Sequence, residues 1–410
     1  MIDNRYMDKI DVPFLFSALG LILIGLVALY SSSQPVIQGA AGTNYFVLQS
    51  IWVSMGLVAM VVAAVFPLRI LNNIAYGLFL VALALLLAVL VAGVAGYGAV
   101  RWIRIGPLNF QPSEFAKLAA ILAAAKFLGE GHRDVNRPLD FALASLFFVL
   151  PFLLIARQPD LGTALVFGAL VLPVFFWAGL KPGNLFLIIM PALTMVASFN
   201  FIAFFAVMAL LSLYLIITRR PLWMKIFNFV LNVFIGLIMP LLWGHLKDYQ
   251  KKRILTFLNP EADPLGAGYQ VIQSMVAIGS GGLRGKGFLQ GSQTQLRFLP
   301  EQHTDFIIAV IGEEFGFIGI LVVLVLFTIL LIRMIRIASL TKSRVNSILV
   351  IGMATVIAFH FLVNMGMTVG LMPVTGLPLP FISYGGSALL TNMVFVGLTL
   401  NVYRNRFEYF

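Results

Sequence analysis

The residues able to do chemistry in this 410-residue chain fall in a few short polar segments between long apolar runs. The first is Asn259-Pro260-Glu261-Ala262-Asp263-Pro264-Leu265-Gly266-Ala267-Gly268-Tyr269-Gln270. Two prolines bracket two acids and glycines follow, so the backbone turns tightly and Asp263 has little local freedom. A carboxylate held in this way suits a general base; the same pattern also suits an Asx-Pro turn that caps the next helix. A second segment, Gly279-Ser280-Gly281-Gly282-Leu283-Arg284-Gly285-Lys286-Gly287, looks like a phosphate cradle but fails the P-loop pattern. The leading Gly is missing from its place before Gly285-Lys286, and Gly287 stands where Ser or Thr should bind magnesium. Nucleotide binding is disfavoured. What survives is a set of exposed backbone N–H groups beside Arg284 and Lys286, a combination suited to a diphosphate.

Arg101 and Arg104 lead to Gln111-Pro112-Ser113-Glu114-Phe115-Ala116-Lys117, where Glu114 and Lys117 at i, i+3 can pair on one helix face. Ionisable groups at the lip of an apolar span cost free energy unless paired or wet, so they mark either a functional site or a structural ion pair locking two spans. Arg157-Gln158-Pro159-Asp160-Leu161-Gly162-Thr163 puts another acid at a helix start, where Asp is also a routine N-cap. His303-Thr304-Asp305 enters a span carrying Glu313-Glu314, two acids that suggest a proton or cation path, or a polar face lining a cavity. Met372 to Phe381, rich in proline, precedes Ser383-Tyr384-Gly385-Gly386-Ser387 and reads as a re-entrant wall or a rigid turn. The four histidines, His132, His245, His303 and His360, lack zinc-site spacing. With no cysteine, the chain has no disulfide, thiolate nucleophile or Cys-held metal.

These segments need rigid elements to hold them, and composition says which. Sixty per cent of residues are hydrophobic and only 10% charged, so water is not the solvent for most of the surface. Apolar runs long enough to cross a bilayer as helices recur from end to end. The expected fold is an all-α polytopic membrane protein, a single integral domain over 1–410. Spans are expected near 12–32, 46–66, 72–96, 114–128, 141–156, 161–180, 184–199, 200–217, 224–243, 305–332, 347–370 and 387–403, about twelve in all. The first run follows a mixed-charge leader without a small-residue cleavage site, so it reads as a span rather than a signal peptide.

The net charge of +11 does not point to nucleic acid, because the basic residues fall in short loops on alternate sides of the spans. Taken as cytoplasmic, these clusters account for every second loop and leave both termini on the cytoplasmic side. Two loops defy the rule: 99–113, with Arg101 and Arg104, and 244–304, much the longest. Positive charge on the outer side suggests binding of anionic groups there. The aromatic and aliphatic content of 244–304 predicts a folded extracytoplasmic loop with short amphipathic helices at the interface.

Together the segments resemble the SEDS family of bacterial cell-wall glycosyltransferases, and its rod-shape, elongation branch more than its division branch. The matching residues are Gln111-Pro112-Ser113-Glu114 with Lys117, Gln158 to Thr163, Asp263 to Gln270, Leu299-Pro300-Glu301-Gln302-His303-Thr304-Asp305-Phe306, Pro373 to Phe381 and Ser383 to Ser387. Leu283-Arg284-Gly285-Lys286-Gly287 favours the elongation branch. The resemblance implies polymerisation of lipid II outside the cytoplasmic membrane, with release of undecaprenyl diphosphate and formation of β-1,4 links. It implies that Asp263 matches the family's catalytic acid, and that a class B penicillin-binding protein, the transpeptidase of the elongation machinery, is the partner. The family has ten spans, so the surplus is expected as an extra hairpin near 184–243.

On that footing Asp263 is the expected base for the incoming sugar's 4-hydroxyl, in a single inverting displacement. The leaving diphosphate needs cations rather than an acid. Arg101, Arg104, Lys117, Arg284 and Lys286 are the candidates, with Glu114, Asp160, His303 and Ser387 completing the expected binding set. No metal-ligand set or cofactor motif is apparent, although a divalent cation, Mg or Mn, could help neutralise the diphosphate. Two other readings stay open: a flippase or transporter of lipid-linked precursor, with Glu313, Glu314 and Asp160 as proton-linked residues, and a noncatalytic scaffold that activates a transpeptidase.

Overall fold

Apolar runs become helices here where capping chemistry starts them. Asn44, Asp160, Asn200 and Ser343 each accept a hydrogen bond from the backbone N–H three residues on, while Pro112, Pro138 and Pro182 open other helices at a position that needs no N–H donor. The computed structural model describes residues 10–37, 43–92, 94–96, 99–105, 108–245, 251, 268–296 and 298–408. Within them run α1 (Val12–Ile37), α2 (Tyr45–Val65), α3 (Leu68–Ala92), α4 (Pro112–Gly129), α5 (Pro138–Ala156), α6 (Leu161–Trp177), α7 (Pro182–Ala197), α8 (Phe201–Ile217) and α9 (Leu222–His245). After them come α10 (Tyr269–Gly281), α11 (Ser292–Gln295), α12 (Ile307–Leu340), α13 (Arg344–Thr368) and α14 (Gly386–Arg404).

Eight of the described helices are long and apolar enough to cross a membrane. The shorter apolar α6, α7 and α8, and α4 with its charged residues, lie at the other four positions where spans are expected. α12 runs eight residues past its expected end, because Arg333 sits within the helix and pairs with Asp11, the residue that also accepts from Phe14 N–H at the start of α1. The 99–113 segment is not a plain loop: β1 (Val94–Gly96), β2 (Ala99–Ile105) and β3 (Leu108–Phe110) form a small antiparallel sheet in the order β1-β2-β3, with Val94 opposite Trp102 and Ile103 opposite Phe110.

α13 is the centre of the bundle, buried along most of its length against α4, α6 and α12. α14 packs on α2 through small residues that let the backbones approach: a Cβ at Gly397 would lie 2.2 Å from Met60 O, and one at Gly386 would strike the Trp52 ring. Asn401 closes that contact by donating to the Ala63 and Phe66 carbonyls at the end of α2. At the periphery α7, α8 and α9 make a three-helix unit with its own small core of Leu187, Met190, Met208, Leu211 and Leu215. Inside it a buried Thr194 hydroxyl donates to Asn232 Oδ1 at 2.7 Å. This unit occupies the 184–243 region where the surplus hairpin is expected.

α12 breaks at Gly316, whose φ of 66° and ψ of −162° belong to a region open only to glycine. The break would orphan carbonyls on one side and amides on the other, and the 279–287 segment satisfies both. Lys286 and Gly287 N–H donate to the Glu313 and Glu314 carbonyls at 2.9 and 3.0 Å, while Phe317 and Ile318 N–H donate to Gly282 and Leu283 at 2.9 and 3.2 Å. A Cβ on Gly316 would lie 2.3 Å from Gly285 N. Gly316→Ala is therefore expected to destabilise the protein by about 3 kcal/mol or more. Thermal unfolding in detergent checks this against Gly77→Ala, which meets open space on α3 and should be neutral or slightly stabilising.

Candidate functional site

At the start of α4 the i, i+3 spacing brings Lys117 Nζ to Glu114 Oε1 at 2.8 Å. The lysine is 1% exposed and the glutamate 4%, so neither charge has water to fall back on. Removing such charges from water costs several kcal/mol each unless they are paired and hydrogen-bonded. A third group completes the set: His360 Nε2 on α13 lies 3.2 Å from Lys117 Nζ. The opposite ring nitrogen, Nδ1, lies 3.2 Å from the Pro378 carbonyl. One helical turn on, Asn364 Nδ2 donates to the Leu377 carbonyl at 2.8 Å and to that of Asp305 at 3.1 Å. Two polar side chains on one face of α13 thus hold successive carbonyls of the proline-rich segment.

That segment is also the meeting place of the other motifs. Gly162 approaches it so closely that a Cβ there would sit 2.4 Å from Thr375 O. The Ser383 hydroxyl donates to the Thr304 carbonyl and accepts from Leu379 N–H. Tyr384 N–H donates to the His303 carbonyl at 2.9 Å, and the His303 ring stacks on Tyr45 with centroids 3.7 Å apart. Ser387, in the first turn of α14, accepts from Gln111 N–H at 3.3 Å, which ties the N-terminus of α14 to that of α4. Gln49 joins from α2, donating to Ser383 O and accepting from Gly385 N–H.

Asp160 caps α6, accepting from Thr163 N–H at 3.1 Å and from the Thr163 hydroxyl at 2.9 Å. It also pairs with Arg101, whose Nε lies 3.4 Å away, while Arg101 Nη2 donates to the Pro159 carbonyl at 3.1 Å. N-cap and ion pair are therefore combined in one residue, and the strand β2 is fastened to the start of α6. Arg104 lies on β2 opposite Asn109. Burial holds His303 well below the ordinary histidine range, at about 4, so it is neutral near pH 7 and supplies no cation.

Among the described residues, Lys286 and Arg284 do not join this cluster by any contact. Lys286 pairs with Glu313 at 2.7 Å, and that carboxylate also accepts from Ser292 Oγ, Gln293 N–H, and the N–H and hydroxyl of Thr294. The expected exposed amides of the glycine-rich segment are corrected by the same geometry, because Lys286 and Gly287 N–H are consumed by α12 carbonyls. Arg284 is exposed on the turn. Glu313 and Glu314 lie in the part of α12 before the Gly316 break, where every residue from Ile307 to Glu314 is buried. A Glu313 carboxylate saturated with donors is a pin for the 286–294 loop and a poor proton carrier. Glu314 is held by the Ser31 hydroxyl. Asp263 lies outside the described residues.

Sequence reasoning weighed His360 only as a zinc ligand and passed over Asn364 and Gln49. Their signal was present: His360 and Asn364 are polar, four residues apart and set in an apolar span, where such groups need partners.

The family model described as FTSW_RODA_SPOVE, cell cycle protein, matches residues 12–220 and 202–408. The chain belongs to this family. The two matching stretches of the family model overlap at 202–220, within and just after α8, where the three-helix unit lies. Among family members, the peptidoglycan glycosyltransferase MrdB of Escherichia coli K12 is 38% identical over 94% of this chain and 93% of its own length. The peptidoglycan glycosyltransferase RodA of Treponema pallidum is 33% identical over 97% and 98%. A chain of a solved peptidoglycan synthase complex, one that coordinates polymerization and crosslinking, superposes with a TM-score of 0.74 at 33% identity over 97% of this chain and 99% of that one. The rod shape determining protein RodA of Thermus thermophilus superposes with a TM-score of 0.64 at 28% identity, covering 97% and 98%.

Two measurements check the site's electrostatics. Glu114→Ala strands a buried ammonium and is expected to cost about 3–5 kcal/mol of stability, most of it recovered in Glu114→Ala/Lys117→Met; additive losses in thermal unfolding would refute the pairing. The His303 ring, followed by NMR of histidine-labelled protein, should keep its neutral signature down to pH 5, and a midpoint near 6.5 would contradict its burial.

Proposed function

We propose that this chain is a peptidoglycan glycosyltransferase that polymerises lipid II into glycan strands at the outer face of the bacterial cytoplasmic membrane during elongation. The observation that carries the reading is the buried Lys117 ammonium at the junction of the family's motifs, in a chain that matches named glycosyltransferases over nearly its whole length. Binding is by lipid-linked diphosphate: Lys117 supplies an N–H donor to the anionic leaving group, and Arg101, Arg104 and Arg284 supply further positive charge. Lys286 is left out of this set, since its ammonium and amide serve α12.

Asp263 is the general base in this reading. Its carboxylate takes the proton of the incoming sugar's 4-hydroxyl as that oxygen attacks the anomeric carbon, and the bond to the undecaprenyl diphosphate oxygen breaks. The leaving group is anionic already and needs stabilisation by preorganised donors rather than protonation. One displacement converts an α-linked diphosphate into a β-linked sugar. A divalent cation, Mg or Mn, would enter with the diphosphate; among the described residues no group of three His, Asp or Glu side chains is set to hold one. Both termini are cytoplasmic, and a class B penicillin-binding protein is the partner that cross-links the product.

Asp263→Asn should leave the protein inserted and folded while lowering glycan polymerisation from lipid II by a factor of about 10² to 10⁴, the usual worth of a positioned base. The test is polymer formation by the purified chain in detergent, where no second compartment exists and transport can yield no product. Full activity of the variant would remove Asp263 from the mechanism, and no polymer from the wild type, alone or with its transpeptidase, would remove the activity itself.

A further inference from the structure

A lysine ammonium has three N–H donors, and a buried one points its last donor wherever the first two are fixed. At Lys117, Glu114 takes one at 2.8 Å and His360 takes the second at 3.2 Å. Among the described residues no third protein acceptor bonds Nζ. The direction of the remaining N–H is therefore set by where the imidazole stands. That ring cannot rotate freely, because Nδ1 faces the Pro378 carbonyl at 3.2 Å and a carbonyl only accepts. Nδ1 must carry the proton. Nε2 then presents its lone pair to the ammonium, for an imidazolium there would set two positive charges directly against each other. The ring has one acceptable tautomer and one acceptable orientation, each dictated by the group on its other side.

We propose that His360 is a positioning residue for Lys117: a neutral imidazole, locked by the Pro378 carbonyl, that aims the third ammonium N–H at the diphosphate of the lipid-linked sugar. The proposal rests on the reading that Lys117 contacts that diphosphate. It gives a function to a histidine buried in α13 and makes the proline-rich segment part of the catalytic geometry, since any shift of Pro378 re-aims the ammonium. Asn364 holds the neighbouring Leu377 carbonyl at 2.8 Å and so stiffens the anchor from the same helix face.

Glutamine can imitate both sides of the ring, its amide nitrogen donating to Pro378 O and its oxygen accepting from Lys117. Methionine, of similar volume, can do neither. The purified full-length chain is assayed for initial rates of lipid II polymerisation, with thermal unfolding in detergent alongside. His360→Met should lower kcat roughly 100-fold, the scale of a misaimed catalytic group, with KM changed less than about threefold. His360→Gln should retain the rate to within about tenfold. A His360→Met enzyme with wild-type kcat, or a His360→Gln enzyme as slow as a folded His360→Met, overturns the proposal. Nitrogen-15 NMR of histidine-labelled wild type, assigned by difference from His360→Gln, gives a second reading that needs no methionine variant: an unprotonated Nε2 is expected, and a protonated one refutes the arrangement. Lys117→Met separates the two levels. If it stays active, the reading of Lys117 as a diphosphate contact fails; if it is inactive while His360→Met is not, the positioning role alone fails.

Discussion

The fold around the site is governed by a single constraint: an ammonium group buried at the end of an apolar helix must have its donors met by protein. Lys117 is among the largest side chains removed from solvent in the molecule. Its requirement recruits Glu114 from its own helix and His360 from α13, and His360 in turn requires a carbonyl, which Pro378 supplies. From Pro378 the chain of obligations runs to Ser383, Thr304 and Gln49. Segments far apart in sequence are held at one end of the bundle because each satisfies a polar atom of the next. In a medium without water the alternative is an orphaned dipole or charge costing several kcal/mol, so these bonds select the arrangement even where each contributes little net free energy.

The same principle builds the second cluster. A break at Gly316 frees backbone groups that a membrane cannot solvate, and the glycine-rich turn after α10 is the element that closes them. Glycine is needed there for approach as much as for conformation: a Cβ at Gly285 would lie 2.1 Å from Glu314 O, and one at Gly281 would lie 1.9 Å from Gly312 O. Lys286 and Glu313 then fasten the loop that follows. A pattern that resembles an anion cradle in sequence is here an internal splice between a loop and a broken helix.

What was legible in the sequence follows from the range of each interaction. Spans and helix starts depend on neighbours within a few residues, so the apolar periods, Asn44, Asp160 and Pro112 place their helices within a few residues. The Glu114–Lys117 pair was legible for the same reason, being one helical turn long. The Arg101–Asp160 pair was not, since it joins positions 59 residues apart. Nor could the fate of the Lys286 and Gly287 amides be read, because their acceptors lie 27 residues further on in a helix whose break depends on one glycine. The short β-sheet at 94–110 was missed because its strands are brief: β1 falls at the end of the apolar run expected as the span 72–96, and the alternation of β3 covers only Leu108-Asn109-Phe110. The end of α12 was misplaced in the other direction: the expected span closes at 332, just before Arg333, which Asp11 holds on the helix.

Charge bookkeeping at the site imposes one more step. Glu114 and Lys117 sum to zero, as do Arg101 and Asp160, and His360 and His303 are neutral by geometry and burial respectively. Each of the two ion pairs is thus neutral by itself, which lowers the cost of holding its charges away from bulk water. On the proposed reading, these two pairs supply no net positive field to draw in a diphosphate, and binding rests on directed N–H groups. On that reading Lys117 would offer the N–H left over by Glu114 and His360, while Arg101 would be shared with Asp160. Such a site holds its donors at fixed positions before the anion binds, and the cost of reorienting them does not fall on the reaction step. Arg284 is exposed and unpaired among the described residues, so on the same reading it is the cation free to move toward the anion rather than wait for it.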